Sequence, residues 1–346
     1  MGVSVKKRVR ITSIETLTHR AKKLVLEPLD GWIPDYLPGQ YLTFIFPHPN
    51  GDKRRSYSIV SSPSEGLSLA VAVKKIDNGE FSRQLVYNAR PGDILDTVGI
   101  QGRFTLPVQR DNTDYFFFAA GSGITPCFAL ITELLTGSGE RVVLVYSNSS
   151  REDGMFVPAF EELRDRFPGR FTLHLLFSNA FRIGESRLNK TVLERLLLAH
   201  LRPQWNTRFY LCGPELYMLL VTITLRSLGV TDSMIHREDF DTRPRVYKPE
   251  PPDKHPRLVT VHLGGATSTF TTQFPDSILS AAKKNGLVLP YSCEAGRCGA
   301  CVARCTDGEV WMAYNEVLTD IETSGRLILT CQSYPIGGNV TLEIKN

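Results

Sequence analysis

Four cysteines near the C-terminus, Cys293, Cys298, Cys301 and Cys331, constrain this chain more than any other feature. They follow the spacing C-x4-C-x2-C, with the fourth far downstream. Three thiols on one short loop surround a compact inorganic core only where the backbone bends tightly. Gly296 and Gly299 sit between them, where positive φ or close backbone approach costs little. Amides in such a loop also point at anionic sulfur. Cys331 lies in Leu327-Ile-Leu-Thr-Cys331-Gln332, which reads as a strand end.

This spacing resembles that of plant-type ferredoxins, whose four thiolates hold a [2Fe–2S] cluster. Structural zinc is the main rival, although zinc sites usually show two C-x2-C pairs. Disulfides are the other rival, set against seven cysteines and no secretory segment. Cys305 follows on an outgoing strand and reads as packing; Cys127 and Cys212 lie far upstream. A helix-like stretch from Ser277 to Asn285 and the run Gly325-Arg-Leu-Ile-Leu-Thr-Cys331-Gln332 complete the likeness. Residues 257–346 resemble the ferredoxin-like domain, a β-grasp fold, fused to the C-terminus of some flavin reductases. Arg297, between two of the ligands, is expected to place positive charge near an anionic centre.

A length of 346 residues suggests two or three domains. A net charge of +4 is too small to argue for nucleic acid. The basic cluster Lys6-Lys7-Arg8 leads into the strand-like alternation Val9-Arg-Ile-Thr-Ser-Ile-Glu rather than an apolar run, so no signal peptide is expected. The most apolar stretches, Tyr115 to Ile131 and Phe209 to Leu225, are broken by glycine, proline or polar residues, which argues against a membrane span. A cytoplasmic location is the expectation, since its reducing poise suits free thiols and a cluster. The proline-rich stretch 241–256 reads as an extended, semi-rigid linker. A second boundary is expected near 107–113.

The residues before it read as short strands punctuated by Pro38-Gly39, Asn50-Gly51, Asn78-Gly79 and Pro91-Gly92, the pattern of a closed antiparallel barrel. Within them stands Arg54-Arg55-Ser56-Tyr57-Ser58-Ile59. Arginine pairs with phosphate, tyrosine stacks on a planar ring, and serine bonds a ring nitrogen. Alternation puts Arg55 and Tyr57 on one strand face and Ser58 on the other. Further on, Val73-Lys74-Lys75 precedes Gly79-Glu-Phe81-Ser82, where Ser82 or a neighbour is expected to cap a short helix whose free amides suit a diphosphate.

Tyr115-Phe-Phe-Phe-Ala-Ala120 reads as a buried parallel strand. Gly121-Ser-Gly123-Ile-Thr125-Pro126 then turns onto a helix, with Thr125 expected as its cap and Pro126 as its first residue. Strands at Arg141 to Tyr146, Phe171 to Phe177 and Arg208 to Cys212, separated by helical segments, give an α/β layer with a parallel sheet. The last ends in Cys212-Gly213-Pro214, and Ile235-His-Arg-Glu238-Asp-Phe240 closes the domain. No carboxylate stands immediately after Tyr146; Ser147, Asn148, Ser149, Ser150 and Arg151 do, with Arg182 and Arg187 after the next strand. Hydroxyls and arginines suit a 2′-phosphate, which points to NADPH over NADH, with Glu152 and Asp153 opposing.

Together these runs resemble the ferredoxin–NADP reductase superfamily along nearly the whole chain. The order is an FAD-binding β-barrel (1–108), an NAD(P)-binding α/β domain (113–240), a linker (241–256) and a plant-type [2Fe–2S] domain (257–346). It is the order of reductase subunits that feed bacterial oxygenases, of the phenylacetyl-CoA epoxidase reductase type. The resemblance implies that Arg55, Tyr57 and Ser58, with Val73, Lys74, Gly79, Phe81 and Ser82, hold FAD, while Gly121, Gly123, Thr125, Pro126, Ser147, Arg151, Gly213 and Pro214 hold NAD(P)H. Cys212 is implied beside the nicotinamide C4, and Glu238 and Phe240 near the flavin or nicotinamide face. Ser58, Cys212 and Glu238 are therefore the expected catalytic set. Electrons would pass to an oxygenase, hydroxylase or desaturase. A stand-alone flavin or ferric reductase, and a zinc-stabilised binding module, are the alternatives.

Overall fold

The computed structural model describes residues 6–49, 51–63, 66, 68–110, 112–137, 139–180, 186–202, 206–241 and 249–344. The chain divides into two compact units, one spanning Lys7–Asp239 and the other containing Phe240–Asn346.

The first unit holds two sheets. Strands β1 (Lys7–Thr18), β2 (Ala21–Pro28), β3 (Tyr41–Phe46), β4 (Lys53–Ser58), β5 (Ala70–Lys74) and β6 (Ile94–Gln101) lie in the order β4-β3-β6-β1-β2-β5. Their pairings are antiparallel. An antiparallel bridge from Ile59 to Val71 joins the two outer strands and closes the barrel. The alternation that marks these strands has a physical result: Val9, Ile11, Leu24, Leu26, Leu42 and Phe44 fill the interior.

Strands β7 (Thr113–Ala120), β8 (Arg141–Asn148), β9 (Phe171–Phe177), β10 (Asn206–Cys212) and β11 (Ile235–Glu238) form a parallel sheet in the order β11-β10-β7-β8-β9. Tyr115 to Phe118 are all buried because helices cover a parallel sheet on both faces. Barrel and sheet share one core: Ala21, Val60, Ala70 and Phe104 pack with Tyr115, Phe117 and Tyr210. Tyr210 Oη also donates to the Thr105 carbonyl at 2.9 Å.

The second unit carries β12 (Arg257–Leu263), β13 (Ala266–Thr272), β14 (Val302–Met312), β15 (Leu327–Leu329) and β16 (Ser333–Ile344), in the order β13-β12-β16-β14-β15. β12 and β16 run parallel, the other pairs antiparallel, the mixed sheet of a ferredoxin-like domain. The helix Ile278–Lys284 packs its Ile278, Leu279, Ala281 and Ala282 into this core. Ser277 caps it by accepting from Ser280 N at 3.2 Å.

Two local expectations are corrected. Ser82 does not cap the helix Glu80–Tyr87; Gly79 occupies the cap, and Ser82 Oγ instead accepts from Ile76 N at 3.1 Å. Thr125 and Pro126 lie inside the helix Ile124–Thr136 rather than at its threshold. A short 3-10 turn, Gly121–Gly123, starts the winding early, and its glycines are needed there. Gly121 has φ +55°, and a Cβ on Gly123 would fall 2.0 Å from the Cys212 carbonyl oxygen.

Candidate functional site

The carboxyl ends of the parallel strands meet the barrel, and there Ser58 and Lys74 approach the turn that carries Gly121 and Thr125. β4 brings Ser58, buried, to Thr125, whose Oγ1 lies 3.1 Å from Ser58 Oγ and 3.0 Å from the Ser122 carbonyl oxygen. The serine of one expected motif thus touches the threonine of the other. A second bond, Ser62 Oγ donating to Glu133 Oε2 at 2.6 Å, joins the same two layers. On β4 the Arg55 guanidinium lies 5.2 Å from the Phe81 ring centre, and Tyr57 packs 5.7 Å from Phe44. Burial pushes the Tyr57 phenol up, well clear of ionisation at neutral pH.

Lys74 ends β5 beside the glycine turn: a Cβ on Gly121 would meet its ammonium at 3.8 Å. Burial lowers the Lys74 pKa, with Asp153 opposing and Arg20 adding to the fall. A cation so close to a glycine turn and a helix N-terminus is a donor set for phosphate.

Cys212 and Glu238 are direct neighbours in the register of β10 and β11. Both are buried, as is Cys127, whose Sγ lies 3.4 Å from the Gly123 carbonyl oxygen. Burial raises the Cys212 thiol well above its ordinary value, helped by Glu238, Cys127 and Asp239. Desolvation pushes the Glu238 carboxyl up to about 8, and its Oε2 finds no hydrogen-bond partner among the described residues. A buried orphan oxygen at the carboxyl edge of a parallel sheet marks the face where ligands bind such sheets. Gly213 and Pro214 follow, Pro214 preceding the helix Glu215–Ser227. Phe240 is half exposed and lies in the other unit.

After β8 the phosphate-binding expectation weakens. Arg151 Nη2 lies 2.5 Å from Glu161 Oε2, so its charge is already matched. Ser147 pairs with Ala120 at the end of β7. Arg187 is exposed, and Arg182 lies outside the described residues.

In the second unit the four cysteines sort into two pairs. Cys301 and Cys331 sulfurs are 3.3 Å apart and buried. Cys293 N donates to Cys298 Sγ at 3.5 Å, and Ala295 N to Cys293 Sγ at 3.3 Å. The Cys298 thiol and these loop amides bring the Cys293 thiol below its ordinary value. Among the described residues no three His, Cys, Asp or Glu side chains converge on one metal-ion position. Two sulfur pairs match a two-iron core, one pair to each iron. The loop is built for this. Gly296 and Gly299 take φ of +78° and +71°, and a Cβ on Gly296 would press at 3.0 Å on Gln332. Gln332 Nε2 in turn donates to the Glu294 carbonyl at 2.9 Å. Cys331 lies two residues beyond β15, not at its end. Cys305 stays in the core, as packing.

Arg297 differs from expectation. Its side chain is 5% exposed, with Nη1 3.3 Å from Asp241 Oδ2 and Nε 3.2 Å from Glu316 Oε2. Two carboxylates offset its charge, so it fastens the loop rather than lending it positive potential. No local pattern signals this clamp, because Asp241 and Glu316 lie far from Arg297 along the chain.

Comparison with known proteins agrees with this division. Family models match residues 8–106 as an oxidoreductase FAD-binding domain, 117–221 as an oxidoreductase NAD-binding domain and 261–335 as a 2Fe-2S iron-sulfur cluster binding domain. The chain is 32% identical to a component of the 1,2-phenylacetyl-CoA epoxidase of Escherichia coli, over 89% of this chain and 88% of that one. It is 32% identical to the ferredoxin reductase component of the Mycobacterium tuberculosis 3-ketosteroid-9-alpha-monooxygenase, over 96% and 94%. Two solved structures share the fold. Phthalate dioxygenase reductase aligns with a TM-score of 0.58 at 24% identity, over 98% of both chains. An intact type IV self-sufficient cytochrome P450 monooxygenase aligns at 0.76 and 22%, and this chain spans 41% of its length. With relatives above 30% identity along most of both sequences, this chain belongs to the ferredoxin–NADP reductase superfamily, among the FAD- and NAD-binding oxidoreductases that carry a C-terminal plant-type [2Fe–2S] domain.

Proposed function

We propose that the chain is the reductase component of an oxygenase system, carrying electrons from a reduced nicotinamide nucleotide to a partner oxygenase, hydroxylase or desaturase. The observation that carries this reading is the pairing of Cys301 with Cys331 and of Cys293 with Cys298, on a chain whose other unit joins a flavin barrel to a nucleotide sheet. The relatives named above are components of an epoxidase and a monooxygenase, which supports an oxygen-activating partner.

When bound, FAD takes two electrons together and gives them up singly, which matches a nucleotide donor to a one-electron cluster. This chain's residues position and insulate. Arg55, Lys74 and the first turn of the helix Glu80–Tyr87, with Gly79, Phe81 and Ser82, would hold the flavin phosphates; Tyr57, Ser58 and Val73 would line its ring. The turn Gly121–Gly123 with Thr125, Pro126 and Ser147 would hold the nucleotide diphosphate, and Gly213-Pro214 would let the nicotinamide approach. The Ser58–Thr125 contact fixes the two sites to each other. Cys212 and Glu238, both protonated at pH 7, keep the carboxyl edge uncharged where a hydride would pass. Cys293, Cys298, Cys301 and Cys331 would ligate the cluster.

No helix among the described residues is long and apolar enough to cross a membrane. None of the seven cysteines forms a disulfide, in keeping with a reducing, cytoplasmic setting.

The test uses purified holoprotein. Nucleotide-dependent reduction of cytochrome c, a one-electron acceptor, should vanish in Cys331→Ser, while reduction of the flavin by the nucleotide persists. Retention of cytochrome c reduction in a variant lacking all iron would overturn the electron route.

A further inference from the structure

The nucleotide site carries a charge pattern at the end of β8 that the preceding strand hides in sequence. The first candidate cation, Arg151, is matched by Glu161 at 2.5 Å. Three residues later the chain turns back, Gly154 N donating to the Arg151 carbonyl at 3.0 Å. This turn carries Asp153 inward, leaving its side chain only 23% exposed. Ser150 fixes the carboxylate: Ser150 Oγ donates to Asp153 Oδ2 at 3.2 Å and accepts from Asp153 N at 3.3 Å.

The location matters more than the charge. β7 and β8 are adjacent parallel strands, with Ala120 opposite Ser147. The glycine turn follows the first strand and Asp153 follows the second. Asp153 acts on the Lys74 ammonium, which itself stands beside Gly121. His19 Nε2 lies 3.9 Å from Asp153 Oδ1, and Arg20 is held by Asp77. Asn148, the last residue of β8, is half buried. In parallel α/β sheets a dinucleotide crosses the carboxyl ends of adjacent strands. A carboxylate beyond the second strand then accepts from the adenosine ribose 2′-hydroxyl and repels a 2′-phosphate.

We infer that Asp153 makes this reductase select NADH over NADPH, the turn 150–154 restoring in space the carboxylate that is missing directly after Tyr146. The inference rests on the reductase reading above. It reverses the preference that the serines and Arg151 suggest in sequence, because Arg151 already has its counter-ion.

The test uses full-length holoprotein with ferricyanide as acceptor and both nucleotides as donors. Wild type should show kcat/KM for NADH at least about 30-fold above that for NADPH, the range expected when one charged hydrogen bond is exchanged for a like-charge contact. Asp153→Asn keeps the shape and the Ser150 contact, and should lower that ratio about tenfold or more. Glu161→Gln releases Arg151 and should raise kcat/KM for NADPH about fivefold. Adenosine 2′-phosphate supplies a readout that a purely structural role would not move: its inhibition constant should tighten about tenfold in Asp153→Asn. A wild type that prefers NADPH, or a ratio unmoved in Asp153→Asn, overturns the assignment and leaves the reductase reading intact. Flavin reduced by neither nucleotide overturns both.

Discussion

Glu238 provides the sharpest quantitative prediction. Its carboxyl is buried, one oxygen has no described partner, and desolvation lifts it from the ordinary 4.5 to about 8. Below pH 4.5 both folded and unfolded chains keep this proton, so the group leaves stability unchanged. Between pH 4.5 and 8 the unfolded chain releases a proton that the folded chain retains. Stability therefore falls with rising pH, by about 1.4 kcal/mol per pH unit. At pH 7 the cumulative loss is about 3 kcal/mol, and it levels off near 5 kcal/mol above pH 8. Glu238→Gln keeps the shape and removes the ionisation. Its new amide enters a site short of partners, which costs about 1–3 kcal/mol at every pH.

The variant should thus be less stable than wild type at pH 4.5 and more stable at pH 8, the curves crossing between about pH 5 and 7. Urea titrations of the FAD-loaded protein at half-unit pH steps would measure the difference. Infrared spectroscopy gives a direct view: a protonated-carboxyl C=O band in wild type at pH 6, titrating away near pH 8 and missing from Glu238→Gln. Parallel stability curves between pH 5 and 8, together with no such band, would refute the desolvation argument.

The remaining perturbations test other parts of the design. Gly123→Ala should abolish stable folding of the Lys7–Asp239 unit or cost about 3 kcal/mol or more, because the added methyl would meet the Cys212 carbonyl oxygen at 2.0 Å. Gly338→Ala meets nothing within 4 Å and should be nearly neutral in a thermal melt that shows the loss in Gly123→Ala. Arg297→Met should destabilise the Phe240–Asn346 unit by about 3 kcal/mol, since it strands Asp241 and Glu316; iron should then be lost faster to a chelator, with little change in cluster potential. Cys301→Ser should remove iron while FAD content holds, read by metal analysis and flavin fluorescence.

Much of this fold was legible because its signals are local. The run Tyr115-Phe-Phe-Phe reads as a buried parallel strand because no polar residue interrupts it, and all four rings are buried. Phe171–Phe177 is a strand over the range its apolar pattern predicts. The loop of three cysteines is legible since its metal chemistry depends on spacing alone. Helix beginnings were less legible. Ser82 and Thr125 look like caps, but a cap depends on where the preceding chain points. In both cases glycine turns let the winding begin earlier.

The least legible features are those that depend on charge matching across space. Arg151 and Arg297 both read as available cations, one for a phosphate and one for a cluster. Each meets a carboxylate far from it in sequence, Glu161 for the first and Asp241 with Glu316 for the second. Asp153 shows the converse. In sequence its carboxylate reads only as opposing the serines and Arg151, and the turn closed by Gly154 N on the Arg151 carbonyl brings it back toward the strand end. A cation's residue type therefore says little about the ligand it would take. The sign of a site follows only once each charge has been assigned its nearest counter-charge, and in this chain that assignment moves the expected nucleotide from the phosphorylated form to the unphosphorylated one.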